Sequence, residues 1–186
     1  HARPCSRRQR KQYPMTDQTT APHDHNKPLE QILKERVARF ETRRYDWNAL
    51  KFQADYDPKY RRAQIRYMGT GATGVAHDEN VVPAEHFTFS TMCLPAGCEG
   101  PPHVHTDAEE VFFMLKGSIR LTLQDGDDTA ETVLKERDLI SIPPGVYRGL
   151  VNEGQEEALM CVMIGNPKPV KPTYPDDHPL SKIKRP

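Results

Sequence analysis

The stretch GCEGPPHVHTDAEEVFFMLKG, residues 97–117, carries the clearest signal for both fold and function. His103 and His105 alternate, so in an extended segment both side chains point to the same side. An acidic pair, Glu109 and Glu110, follows, and an apolar run then ends at a glycine. Imidazoles are the commonest transition-metal ligands, and a nearby carboxylate can supply a third ligand. The stretch therefore predicts a metal site, against the alternative of two histidines satisfied by hydrogen bonds in a polar loop.

The overall composition is that of a globular chain without a charge bias. The 186 residues are enough for one domain with a core and tails, and the 26 basic residues balance the 26 acidic ones. This balance gives no support to binding nucleic acid or an anionic membrane through a net field, and no apolar run approaches the ~20 residues that span a bilayer. Four cysteines without a paired spacing predict a reducing, cytoplasmic location and no structural disulfide.

The segment 51–166 predicts an antiparallel β-sandwich or barrel. Short β-type runs alternate with turn residues, as in RRAQIRYMG, EHFTFSTMCLPAG, SIRLTLQ and EALMCVMIG. The run at residues 118–123 alternates apolar and polar side chains like a half-buried strand, and QDGDD at residues 124–128 is a hairpin signal. Many short strands without a helix between them place the chain in the all-β class.

Residues 27–50 predict an N-terminal amphipathic helix that runs from Pro28 to Arg43. Apolar residues recur there at helical spacing, at Leu29, Ile32, Leu33, Val37 and Phe40. Pro28 suits the first turn of a helix. We expect this helix to pack on the barrel or on the partner in a homodimer, because the edges of a sheet need covering.

The two ends of the chain differ from the rest in composition. Residues 1–26 are polar and poor in core-forming side chains, which predicts a flexible arm. The basic start lacks the apolar segment of a secretory signal, whereas its arginine-rich composition leaves a transit peptide open. We expect natural translation to begin at Met15 rather than at His1, or the arm to be foreign to the natural chain. The proline-dense tail, residues 167–186, is expected to run extended over the domain surface.

The opening stretch resembles the first motif of the cupins, small β-barrels of the double-stranded β-helix or jelly-roll type. That motif has a glycine, five residues, His-x-His, three or four residues, a glutamate, six residues and a glycine. It is matched by Gly97, His103, His105, Glu110 and Gly117. Glu109 also meets the looser spacing from His105, but only Glu110 leaves six residues before Gly117. The resemblance spans residues 87–164 and implies that His103, His105 and Glu110 are metal ligands.

The second cupin motif is present with two departures. Pro143, Gly145 and Asn152 stand in register in RDLISIPPGVYRGLVN. Arg137 stands where the motif begins with a glycine, and Arg148 stands where the fourth metal ligand is a histidine. An arginine offers only hydrogen-bond donors, so Arg148 cannot replace that ligand.

Three interpretations of Arg148 remain open. In the first, three ligands hold the metal and Arg148 clamps an anionic substrate with its planar fork. In the second, Tyr147 or His86 completes the metal site. In the third, no metal binds and Arg148 pairs with Glu110, so that the protein is a binding module.

The resemblance implies a metal-binding barrel for a small, anionic ligand. A divalent transition metal (Fe, Mn, Ni or Zn) suits the two-histidine, one-carboxylate set. The leading hypothesis is a dioxygenase-like oxidoreductase acting on a small organic acid, and the alternatives are a non-catalytic binding cupin or a cupin isomerase or lyase. We expect four large apolar residues to lie mainly in the core. Each pair alternates along one predicted strand, and the four are Phe87, Phe89, Phe112 and Met114.

Overall fold

A computed structural model of the protein describes residues 27–185, so the arm at residues 1–26 lies outside the described residues. The helices are α1 (Leu29–Arg36) and α2 (Lys51–Tyr56), and single 3₁₀ turns lie at Phe40–Thr42, Pro58–Tyr60 and Pro179–Lys182. Within the described range the strands are β1 (Ala63–Met68), β2 (Thr88–Leu94), β3 (Glu99–His103), β4 (Glu110–Lys116), β5 (Ile119–Asp125), β6 (Asp128–Leu134), β7 (Leu139–Ile142), β8 (Tyr147–Val151) and β9 (Ala158–Ile164). No helix in that range is long and apolar enough to cross a membrane.

The strands form two antiparallel sheets that pack face to face. One sheet has the order β1-β2-β9-β4-β7 and the other the order β3-β8-β5-β6. Strands β3 and β4 follow each other in the chain but lie in different sheets, so the segment between them crosses from one sheet to the other. This arrangement confirms the predicted all-β jelly-roll barrel.

The core lies between the sheets and follows strand alternation. Strand β9 reads apolar throughout in the sequence, yet its residues alternate between buried and half-buried along its whole length. Phe112 and Met114 of β4 and Leu121 of β5 are fully buried in this core. The expectation that the phenylalanines belong mainly to the core holds for Phe112 but not for Phe87, which is exposed just before β2.

Backbone conformation at the turns explains several of the motif residues. The QDGDD signal forms the β5–β6 hairpin, in which Asp125 pairs with Asp128. Gly117 has φ +74°, and a Cβ there would lie 3.3 Å from the carbonyl oxygen of Glu157, so this turn requires glycine. Arg137, at the glycine position of the second motif, has φ 70° and is the non-glycine residue with positive φ in the described chain. The second motif therefore keeps its turn, but Arg137 adopts the left-handed conformation that is unfavourable for a residue with a side chain.

The N-terminal helix is shorter than the predicted span from Pro28 to Arg43. It ends at Arg36, and the chain from Val37 to Arg39 is extended. None of the residues of α1 is buried, so tertiary packing adds little to a short helix that is marginal by itself. Arg43 is also anchored elsewhere, since its guanidinium donates to the carbonyl oxygens of Arg66 and Asn80. A helix continuing to Arg43 would conflict with this anchoring.

Segments on either side of the barrel strands cover one region of the barrel. Helix α2, which the sequence pattern did not predict, contributes Phe52 to a small apolar cluster. Tyr60, Tyr174 and Leu180 are buried there and also contact Ile183. The proline-rich tail is also tied to the barrel by a bridge between Val104 and Thr173. These segments complete the walls of the cavity described next.

Candidate metal centre

The three predicted ligands converge where the chain crosses between the sheets. His103 ends β3, His105 follows two residues later, and Glu110 begins β4. One ligand atom from each lies within 4.8 Å of the others. The Nε2 atom of His105 is 3.7 Å from Oε1 of Glu110, and Nε2 of His103 is 4.0 Å from Oε2. Local strand geometry thus brings together the set that the sequence predicted.

Both histidines are held in the form that binds metals. Burial, reinforced by the positive charge of Arg148, lowers the pKa of His103 well below its usual value, and burial also lowers the pKa of His105. Neutral imidazoles are the ligand form. Nδ1 of His103 lies 2.8 Å from the carbonyl oxygen of Pro101, so it donates its proton there and leaves the Nε2 lone pair for a ligand. The donor set therefore fits a divalent transition metal.

The two neighbouring glutamates have different surroundings. Glu110 is buried and faces the histidines, whereas Glu109 is exposed and accepts a hydrogen bond from the Ser141 hydroxyl. The glutamate preferred on its distance to Gly117 is thus the one beside the histidines.

Arg148 forms a buried ion pair with Glu110. It lies opposite His103 on β8, and 1% of its side chain is exposed. Its Nε donates to Oε2 of Glu110 at 2.8 Å, and Nη2 lies 2.7 Å from the same oxygen as a charge contact. Its Nη1 donates to the carbonyl oxygen of Val146 at 3.2 Å. The pairing engages one carboxylate oxygen and leaves Oε1 facing His105.

The Arg148 side chain is turned toward Glu110, and a direct clamp on a ligand stays a prediction. A clamp would present its guanidinium to the cavity, but Arg148 is not among the residues that line it. Its charge is instead directed at Glu110, because the cross-strand position beside His103 points the side chain at the first residue of β4.

Neither proposed additional ligand lies beside the three. His86 is exposed at a bend before β2 and outside the cluster of possible ligands. Tyr147 does not line the cavity beside the three ligands and is outside the cluster of possible ligands; it lines a second groove with Thr122 and Gln124. The structure therefore gives no support to a fourth protein ligand from these two residues.

A cavity of about 70 Å³ opens onto the three ligands. This is room for a few water-sized groups. Apolar core side chains form part of its wall, namely Met92, Phe112, Leu150, Val162 and Ile164. Much of the rest is polar and comes from β1, from Arg62 just before it and from the covering segments, including Gln53, Arg66 and Tyr174. The sequence interpretation missed this polar wall, whose one signal is the alternation of polar residues along β1.

Comparison with known proteins agrees with the fold. Residues 90–165 match the family model of the cupin domain. The match runs from within β2 to just past the end of β9, and together with the two sheets it supports the cupin family for this barrel. A comparison with curated proteins finds no match.

Solved structures share the cupin fold at low identity. A Lactobacillus farciminis oxalate decarboxylase, in a formate complex, is 14% identical with a TM-score of 0.53, over 71% of this chain and 33% of that one. A recombinant oxalate oxidase in complex with glycolate is 22% identical with a TM-score of 0.45, over 48% of this chain and 46% of that one. The chain spans less than half the length of the oxalate oxidase chains that it matches. At these identities the likeness concerns the fold alone.

Proposed function

We propose that the protein is a metal-dependent cupin enzyme of the dioxygenase-like oxidoreductase type that acts on a small organic acid. The observation that carries the proposal is the convergence of His103, His105 and Glu110 on a buried cavity. These three residues would hold a divalent transition metal, and the donor set suits Fe, Mn, Ni or Zn.

The charges around the three residues favour an anionic ligand. Glu110 and Arg148 cancel each other, and both histidines are neutral, so a bound divalent cation would keep its full charge. A metal with three protein ligands supplies a Lewis acid with open coordination positions. Arg148 orients the Glu110 carboxylate through Oε2, which keeps Oε1 directed at His105. The apolar side of the cavity excludes water and limits the ligand to a small molecule.

A second candidate is a metal-free binding protein, and the Arg148–Glu110 pair favours it. An arginine that neutralises a would-be ligand weakens its attraction for a cation. Such a protein would bind anions but would catalyse no reaction with any metal. A third candidate, an isomerase or lyase, would use the same three ligands without consuming dioxygen.

Elemental analysis of the purified full chain tests the enzyme proposal directly. We expect close to stoichiometric transition metal, or uptake after chelation when Fe, Mn, Ni or Zn is supplied one at a time. The His103→Ala variant should lose this uptake, while the exposed His86→Ala variant should keep it. A wild-type protein that takes up none of the four metals would refute the proposal. Oxygen consumption by the loaded protein with small organic acids then separates a dioxygenase from an isomerase or lyase.

We further propose a cytoplasmic homodimer with α1 and the turn after it at the contact. Leu29, Leu33 and Phe40 are each more than 60% exposed, so an apolar face remains uncovered on this chain. A second copy would bury that face.

A further inference from the structure

Arg62 is a buried cation in the wall of the cavity. It lies immediately before β1, is 6% exposed and lines the same cavity as the metal-ligand candidates. Its Nη1 is buried without a hydrogen-bond partner, and the ion pairs of residues 27–185 do not include it. Burial lowers the pKa of Arg62 to about 10, so the side chain is still charged at neutral pH. A buried, unpaired charge is unfavourable and calls for an anion.

The other charges of the cavity do not supply this anion. Glu110, the carboxylate of the wall, attracts Arg62 through space but forms its ion pair with Arg148 and none with Arg62. Arg66 also lines the cavity, but its charge is balanced by Asp46 at 2.9 Å and Asp78 at 2.8 Å. Arg185, the third arginine of the wall, lies 4.5 Å above the Tyr174 ring. Arg62 is thus a buried arginine of this wall without an ion-pair partner among the described residues.

A second buried polar group in the cavity is incompletely bonded. The amide of Gln53, which is 2% exposed, bonds to the Tyr174 hydroxyl, and its Oε1 has no partner. Whichever way the amide is oriented, one of its polar atoms remains unsatisfied. Two orphaned polar groups in one small cavity indicate a polar ligand rather than additional core packing.

We propose that Arg62 binds the carboxylate of a small organic acid in this cavity. Its planar fork matches a carboxylate, and the cavity size restricts the acid to a few heavy atoms. The inference rests on the proposed function for the chemical class of the ligand, but carboxylate binding by Arg62 does not require a metal.

The test is calorimetric titration of the full chain with glycolate and with its neutral isostere glycolamide, with and without chelator. Glycolate should bind, and glycolamide should bind at least about 10-fold more weakly. The Arg62→Gln variant should lose about 10- to 100-fold in glycolate affinity. The Arg62→Lys variant keeps the charge without the fork and should retain part of the affinity.

The matched control is Arg61→Gln, the same change one residue away. Arg61 is exposed, lies 4.6 Å above the Trp47 ring and does not line the cavity, so its loss should leave binding unchanged. If Arg62 is an anion receptor, ligand-free Arg62→Gln should be no less stable than wild type, because an unpaired buried charge is gone. Lower ligand-free stability together with lost binding would identify a structural arginine and overturn the proposal. Equal binding of glycolate and glycolamide, no glycolate binding, or unchanged affinity in Arg62→Gln would also overturn it.

Metal content measured on the same samples separates this inference from the proposed function. One outcome is a protein that takes up no metal but binds glycolate through Arg62. It would refute the metal-dependent enzyme and support carboxylate binding by Arg62. The opposite outcome is metal uptake with a glycolate affinity that Arg62→Gln leaves unchanged. It would support the metal-dependent enzyme and refute carboxylate binding by Arg62.

Discussion

Replacing Arg148 with methionine should strongly destabilise the protein in the absence of metal. The change removes the guanidinium that contacts Oε2 of Glu110 at 2.8 and 2.7 Å and replaces it with an apolar side chain. Glu110 is then left as a buried carboxylate beside two neutral histidines. The structure offers it no other cation within the ion-pair distances of the described chain.

The magnitude follows from the burial of both partners. Side-chain exposure is 1% for Arg148 and 5% for Glu110, so solvent screens the pair little. Removing one partner of a buried ion pair lowers the free energy of unfolding by about 3–5 kcal/mol. For a chain of this length the melting temperature should fall by roughly 6–20 °C. The double variant Arg148→Met/Glu110→Gln removes both charges and should recover about 2 kcal/mol or more of this loss.

Urea unfolding in the presence of a chelator, followed by circular dichroism, measures these differences. Arg120→Met is the matched control, because Arg120 pairs with Glu131 and Glu153 on the surface with 31% of its side chain exposed. That surface loss should be much smaller than the loss from Arg148→Met, because water and salt screen an exposed pair. An Arg148→Met variant that loses no more than the Arg120→Met control, or a double variant with no recovery, would show that the buried pair is not what holds Glu110.

Further predictions concern the ligands, pH, assembly and the backbone. Glu110→Ala should abolish metal uptake in equilibrium dialysis while Glu109→Ala retains it, and equal loss in both would contradict the choice of Glu110. Burial lowers the pKa of His178, so its contribution to stability is present above pH ~6.5 and declines as the pH falls below that value. His178 caps the 3₁₀ turn at Pro179–Lys182, because its Nδ1 accepts a hydrogen bond from the backbone N–H of Leu180. In urea unfolding from pH 7.5 to 5.5, His178→Asn should keep this cap and show a smaller decline than wild type, and an equal decline would count against this residue. Leu33→Glu should yield monomers in light scattering where wild type yields dimers, and a monomeric wild type would exclude the dimer. Arg137→Gly should raise the free energy of unfolding by about 0.5–1 kcal/mol, since glycine accepts the left-handed conformation, and a loss would show that the Arg137 side chain stabilises the turn.

The metal-ligand candidates could be predicted because their geometry is local. His103, His105 and Glu110 lie within eight positions of one another, and strand alternation alone directs the two histidines to one side. The β5–β6 hairpin was predictable for the same reason, since QDGDD specifies its own turn.

The role of Arg148 depended on a contact that the sequence does not specify. The residue in register with His103 on β8 can point either at the cavity or at Glu110, and only the packing of the two sheets decides between them. The end of α1 could not be predicted either, because it depends on tertiary contacts. Arg43 donates hydrogen bonds to residues far along the chain.

Arg62 was missed because β1 reverses the usual relation between polarity and exposure. Its small and apolar residues, Ala63 and Ile65, are buried on one face, as the pattern indicates. The polar face, with Arg62, Gln64 and Arg66, would ordinarily be assigned to solvent but instead lines the cavity. In sequence, Arg61 and Arg62 look equivalent, and only the covering segments make one exposed and the other buried.

The polar residues of β1 that line the cavity and the metal-ligand candidates come from different parts of the chain. The ligands lie within residues 90–165, whereas β1 with its polar face lies entirely before that stretch. Substitutions in β1 can therefore change the shape and charge of the cavity while the ligand-bearing strands keep their sequence. A barrel divided in this way can bind new ligands through changes in the residues that line its cavity, while the three metal-ligand candidates stay the same.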